Sequence, residues 1–439
     1  MITINPYNFV PLKSKEPDRS LGYTGKLRFK DDHYSGKIEC TLKALSPLIS
    51  LDQSQKEVKK QFLRNSRKTP ILQGASIKGM IRSVYEAITD SCLTFAATDG
   101  TSGKGKIPYR YADLGNYLSS KCNRLEALCP SCRLFGAIKG DTLNCQGKVA
   151  FSDAVLIEGE LSKQPCCLKE PSSPKPHHYA IYGKGGHQGS PIAGRKFYYH
   201  QGKTPSFSVK ETPSIKRSII INEYAPVGSV FSFQIYGENL TKEELGKLLL
   251  AIELLDGLGH KIGLGKAIGL GSCCITISRE KSSITKAIKR YGNWNTGAIE
   301  NWYSLKAGRE ELCEGLIEVL RLNKAEDDAI GYPGYREYKQ DPFNAPIDAL
   351  GVFGGTTLKG GRPPGPDEVA VSPPQEPPPK TKQGEDAAWL KEMYKDRLVF
   401  MDTQGKEVVR SRKGYQGKPN LPEVGKWFIL SGTNSSKRA

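Results

Sequence analysis

Ile71 and Leu72 run directly into the small-residue turn Gln73-Gly74-Ala75-Ser76, and helical spacing begins at once. Ile77, Met80, Ile81, Val84, Tyr85 and Ile88 recur at intervals of three and four, which predicts an amphipathic helix over about 76–89 with one buried stripe. A strand end leading through such a turn into a helix constrains the fold strongly, because it fixes a β-α step. It also suggests chemistry. Backbone N–H groups at a helix start, together with the macrodipole, favour an anion. Lys78 and Arg82 stand four residues apart on one face of that helix. Gly74, Ser76, Lys78 and Arg82 are therefore expected to hold the backbone of a polyanion.

A second β-α-β step lies downstream. The segment 36–45 alternates as a half-buried strand, and 147–154 reads as a strand leaving the core. Ser229 to Tyr236 alternates clearly, and Thr241 with Glu244 forms a capping box that opens a helix with Leu245, Leu248, Leu249, Ile252 and Leu255 on its apolar face. The glycine-rich loop 257–271 then leads into the strand Cys273 to Ile277. Two such halves predict an α+β, ferredoxin-like core, a split β-α-β arrangement. The halves divide as 1–159 and 218–280, separated by an insertion at 160–217. Residues 281–439 form a C-terminal extension or small domain. Within it lie a helix at 312–322, a Pro/Gly-rich linker at 360–379 and an apolar strand, Trp427 to Leu430.

The insertion carries ten Lys or Arg against three Glu, interleaved with Tyr, Phe and His, and reads as a projecting ribbon. That composition suits phosphates plus base stacking, with Arg195 and Lys196 the nominated contacts. Overall, 64 basic against 46 acidic residues leave a formal charge of +18, which favours an acidic partner. The dense glycines of 257–271 do not make a dinucleotide fingerprint, because they precede a strand, and Gly265-Lys266-Ala267 lacks the hydroxyl of a triphosphate loop. They would let a backbone approach a ligand closely, with Lys261 and Lys266 neutralising phosphates; a tight packing loop beneath the sheet is the competing reading.

Cys129-Pro130-Ser131-Cys132 is a knuckle of the kind that grips zinc, and Cys122 lies seven residues before it. Tetrahedral zinc needs a fourth ligand. Cys145 and Cys92 compete for that place, with His33 a further candidate, and the site would be closed and structural. No nucleophilic triad can be assembled. Asp52, in a polar loop past the first strand and beside three lysines, could deprotonate a 2′-hydroxyl or orient a metal-bound water. No run of 18 apolar residues occurs, and the first residues lack the order of a secretion signal, so the expected location is the cytoplasm.

Three segments in order carry a resemblance. They are Leu72 to Arg82; Cys129 to Gly136 followed by Gly147 to Ala154; and Gly257 to Gly271. Together the chain resembles the RAMP superfamily of CRISPR-associated proteins, in particular the backbone subunits of type III effector complexes. Asn5 to Leu12 resembles the start of larger members in the type III-D branch. The resemblance implies an RRM-related palm that binds guide RNA and pairs it with complementary target RNA. It also implies a thumb hairpin that displaces bases at regular intervals, and other type III subunits as partners. In cleaving members an aspartate in the loop after the first strand cuts target RNA with Mg²⁺, and Asp52 falls in that loop. Leu48-Ile49-Ser50-Leu51-Asp52 lacks the His-Gly character usual there. A non-catalytic RNA-binding subunit is the alternative. A guide-RNA-processing endoribonuclease, with His260 as its candidate, is a lesser one.

Overall fold

The computed structural model of the chain describes residues 3–4, 6–14, 16–23, 30, 32–51, 59–93, 114–118, 121–139, 143–164, 166–169, 182–184, 190–200, 218–286, 301–322 and 329–330, and five strands between 385 and 438. The chain folds as two compact units, residues 1–365 and 366–439.

In chain order the elements that position the site in the first unit are β1 (Tyr7–Val10), β2 (Tyr34–Ala44), β3 (Ile71–Leu72), α1 (Gly74–Ile88), α2 (Pro130–Phe135), β4 (Val149–Phe151), β5 (Ala154–Glu158), β6 (Arg195–Tyr198), β7 (Val230–Leu240), α3 (Lys242–Ile252), β8 (His260–Lys261), β9 (Ser272–Lys286) and α4 (Glu314–Leu320). The main sheet runs β8-β9-β2-β7-β5-β3, with β4 also paired to β7. Each neighbouring pair is antiparallel. The order β9-β2-β7-β5 around α1 and α3 is that of a ferredoxin-like fold: each helix connects two strands that lie one strand apart.

Register explains why one face is core. Leu42 is opposite Phe231 and Ile275, Cys40 is opposite Phe233 and Ile277, and all are buried. These residues pack with Ile77, Ile81, Val84, Tyr85 and Ile88 of α1 and with Leu245, Leu248, Leu249 and Ile252 of α3. Because strand side chains alternate faces, the intervening positions form a polar surface. There Glu39 accepts from Gln234 and pairs with Lys37, both at 2.8 Å. The helix stripe expected from sequence is present, with Met80 at its half-buried margin. The capping box also forms, Thr241 Oγ1 accepting from the Glu244 N–H and Glu244 Oε2 from the Thr241 N–H.

Beyond residue 280, where the sequence reading ended the palm, Trp302, Leu312, Leu316, Ile317, Val319 and Leu320 join the same core. The Gly259 N–H donates to Leu320 O and the Leu322 N–H to Gly257 O, so this segment is laced to the glycine-rich loop. Within the insertion, β6 pairs antiparallel with β1. Most of the projecting ribbon expected there lies outside the described residues.

The second unit is a five-stranded antiparallel sheet: β10 (Glu385–Met393), β11 (Arg397–Asp402), β12 (Glu407–Ser411), β13 (Trp427–Ser431) and β14 (Ser435–Arg438), in the order β12-β11-β10-β13-β14. The strand expected at Trp427 to Leu430 has its partners in β10 and β14.

Candidate nucleic-acid interface and metal centre

At the start of α1, Gly74 sits so close to β4 that an added Cβ would lie 2.6 Å from Phe151 O and 2.7 Å from Ser152 O. Only glycine fits that approach. Its N–H donates to Asp153 Oδ1 at 2.8 Å, while the N–H groups of Ser76 and Ile77 both turn back to Gln73 O. The chain's own Asp153 thus places a carboxylate at this helix start. Ser76 is exposed, and half-buried Lys78 lines a cleft of about 360 Å³ with Gly74, Ala75, Gln146, Gly147, Val149, Ala150 and Phe151. Arg82 does not join Lys78. Its Nε donates to Glu86 Oε1 at 2.8 Å, and its guanidinium lies over the Phe135 ring.

The glycine-rich loop is pressed against the segment that follows β2. Leu264 N–H donates to Ile49 O and Gly271 N–H to Pro47 O. A Cβ on Gly271, whose φ is +72°, would stand 1.9 Å from Ile262 O. The packing reading of these glycines therefore describes the observed contacts. Lys261 Nζ donates to Lys266 O and Leu270 O, and burial pushes its pKa down to about 7. Burial lowers the pKa of Lys266 as well. His260 donates from Nε2 to Ile252 O at 3.0 Å and is fully enclosed, its pKa pushed down to about 4 by burial, so it is not poised at a surface for RNA processing. The described chain stops at Leu51, which bridges Phe62; Asp52 lies outside the described residues.

Arg67 and Lys68 were not singled out in the sequence. Both are exposed on a tight turn in which Asn65 Oδ1 accepts from the N–H groups of Arg67 and Thr69, each at 3.0 Å. Lys68 adopts a left-handed backbone with φ of +62°. Asn-Ser-Arg-Lys-Thr-Pro carries the turn signal that could have located it.

Four cysteines converge beside the palm. The Sγ atoms of Cys92, Cys122, Cys129 and Cys132 all lie within 4.8 Å of one another, and all four residues are buried. Cys92 follows the end of α1, and Cys129 is the residue before α2, whose first turn starts with Pro130 and holds Cys132. The Cys92 N–H points to Cys129 Sγ and the Cys129 N–H to Cys122 Sγ, each at 3.5 Å, while Arg19 Nε reaches Cys122 Sγ at 3.4 Å. Hydrogen bonds from Cys129, Cys132 and Cys92 hold the Cys122 thiol far below its usual range. Such a closed set of thiols is capable of coordinating a metal ion. The fourth position belongs to Cys92. Cys145, on the strand Leu143–Gln146 with Tyr23 beside it, packs in the same buried group but outside the four convergent thiols, and His33 is bonded to Asn239, so neither completes the set.

Arg195 and Lys196 are committed within the protein. Arg195 is buried, lies 3.7 Å from Asp90, and donates to the carbonyls of Ser91 and Cys92. It ties β6 to the backbone that presents Cys92. Lys196 Nζ sits 3.7 Å from the centre of the Tyr7 ring, with Tyr182 and Tyr198 also near. A further buried charge went unread in the sequence: Lys148 Nζ donates to Glu244 Oε2 at 2.8 Å, with Arg133 3.9 Å from the same carboxylate. It fastens the cysteine-bearing α2 and the strand β4 to the first turn of α3.

Comparison with curated proteins gives no match. Among solved structures, a chain from one titled "Type IV-B CRISPR Complex" is similar over 62% of this chain and 100% of that chain, at 16% identity and a TM-score of 0.30. The family model described as the RAMP superfamily matches residues 41–274, from within β2 to the start of β9, which is the palm and more than half of the sequence. On that match the chain belongs to the RAMP superfamily.

Proposed function

We propose that this chain is an RNA-holding subunit of a CRISPR ribonucleoprotein of type III, its palm gripping guide RNA through the phosphate backbone. Base pairing between guide and target RNA then carries sequence choice, as in other guided systems. The observation that carries the reading is the coincidence of the family match at 41–274 with the ferredoxin-like core. The +18 charge supports it, since backbone recognition depends on cations more than on base-reading side chains. Contacts to RNA come from Ser76 and Lys78 at the cleft and from the exposed turn with Arg67 and Lys68. The four converging cysteines hold a structural zinc, which would brace a region with few apolar residues.

The test is to purify the chain with its complex, digest unprotected nucleic acid and sequence what remains. Guide RNA protected at physiological salt is expected; a complex that assembles without any protected RNA overturns the proposal. Target cleavage is assigned separately by comparing wild type with Asp52→Ala in the complete complex, in Mg²⁺ and in EDTA. Loss of one defined product with assembly intact makes Asp52 the cutting residue. An unchanged product ladder makes the subunit a holder only.

A further inference from the structure

Residues 13–23 run as a strap along the cysteine-bearing flank, and several of their hydrogen bonds fall next to the thiols. The Ser14 N–H and Oγ donate to Asp90 Oδ2 at 2.9 and 2.7 Å, and Asp90 lies two residues before Cys92. Arg133 donates to Leu21 O at 3.1 Å, and the Tyr23 N–H donates to Leu125 O at 2.8 Å. Leu125 belongs to the connection from Cys122 to Cys129, in which Leu128 is buried and Leu125 is exposed. So small an apolar set leaves that connection dependent on the thiols at its two ends.

Arg19 links the strap to the sulfurs themselves. The Ser20 N–H donates to Asp18 Oδ1 at 2.8 Å, an Asx turn with Arg19 at its centre. From that turn Arg19 Nε points to Cys122 Sγ at 3.4 Å, while its Nη2 donates to Asn116 O at 3.0 Å. Charge sets this arginine apart. Arg82, Arg133 and Arg195 also reach the flank, but each faces a carboxylate, of Glu86, Glu244 and Asp90 respectively. Among the described residues Arg19 has no carboxylate partner, and its half-buried cation meets a cysteine sulfur instead. Four thiolates around a divalent cation leave two negative charges, which a guanidinium N–H aimed at sulfur offsets.

We infer that Arg19 is an outer positioning residue of the metal centre, holding the Cys122 thiolate, and that the bound ion in turn fastens the strap 13–23 to the flank. The inference rests on the reading of the four cysteines as a zinc site. Outer groups that hydrogen-bond metal ligands contribute about 10–100-fold to metal affinity. Linkage makes the effect reciprocal: what the docked strap adds to metal retention, the metal adds to strap docking. The consequence reaches past the flank, because the strap continues from β1, which pairs with β6, and β6 sends Arg195 to Cys92 O. The ion thereby holds the seat of the β1–β6 pair from both of its strands.

The test uses the full chain loaded with zinc. Transfer of the ion to a chromogenic chelator is timed for wild type, Arg19→Met and Arg19→Lys. Arg19→Met is expected to lose zinc at least about tenfold faster, while Arg19→Lys, which keeps the cation, recovers most of the wild-type retention. Hydrogen exchange read by mass spectrometry is expected to rise in peptides from 13–23 when zinc is withdrawn from the wild type, with peptides from α3 still protected. Loss of zinc from Arg19→Met at the wild-type rate, or exchange at 13–23 that is the same with and without zinc, overturns the inference and leaves the zinc reading standing. A wild-type chain that takes up no zinc overturns both. The exchange comparison needs no substitution, so it gives its answer even if a variant fails to fold.

Discussion

Lys148 and Glu244 have side chains only 2% and 6% exposed and meet at 2.8 Å. Removing one member of such a pair leaves a charge buried without its partner, a loss of about 3–5 kcal/mol. Lys148→Met is therefore expected to lower unfolding free energy by about 3 kcal/mol in denaturant titration; a loss below about 1 kcal/mol would show that Arg133 alone suffices for Glu244. His260 sets a pH dependence. Burial holds its folded pKa at about 4, below the unfolded value near 6.5, and His200 is displaced in the same direction to about 3. Between those values the unfolded chain carries the extra proton, so the stability is present above pH 6.5 and is lost as pH falls towards 4. His260→Gln, which keeps a donor for Ile252 O, should flatten the fall in stability between pH 7 and 5. Parallel curves for wild type and variant would contradict that assignment. None of these pairings was legible from residue identity. Arg195 was nominated as an RNA contact and Lys148 was given no role, because nothing in the sequence tells that Asp90 and Glu244 face them across the fold.

Elements were far more legible than their neighbours. The stripe from Ile77 to Ile88 and the box of Thr241 with Glu244 are local patterns, and the structure forms α1 and α3 on them. The Cys129–Cys132 knuckle is local too. Its partners are not, since chain distance says nothing about which thiol a helix of given length delivers. The 15 residues of α1 carry the chain to Cys92 at the cluster, while Cys145 leaves along a strand. The helix start at Gly74 was a local pattern as well, but its partner Asp153, 79 residues away in sequence, was not. These placements give a direct experiment. Elemental analysis should find about one zinc per chain, as a four-thiolate site holds a single ion, with Cys145→Ser unchanged and Cys92→Ser depleted. Full retention by Cys92→Ser would remove that residue from the ligand set.

The first unit joins a ferredoxin-like palm, a cysteine-bearing flank and the segment 301–322 on one core, and the second unit forms a separate sheet. Composition favours an acidic partner, but it could not say which cations face solvent. Four of the nominated ones, Arg82, Arg195, Lys196 and Lys261, turn out to serve protein contacts. The central claim is that the palm holds RNA by its backbone through Lys78, Arg67 and Lys68. It is tested most directly by measuring guide-RNA affinity of the full chain across a salt series, for wild type beside the triple alanine variant. Each phosphate contact on a single strand contributes about 0.7 to the slope of log affinity against log salt. The account predicts weaker binding near physiological salt and a slope shallower by about 2; a folded variant with unchanged affinity and slope would contradict it.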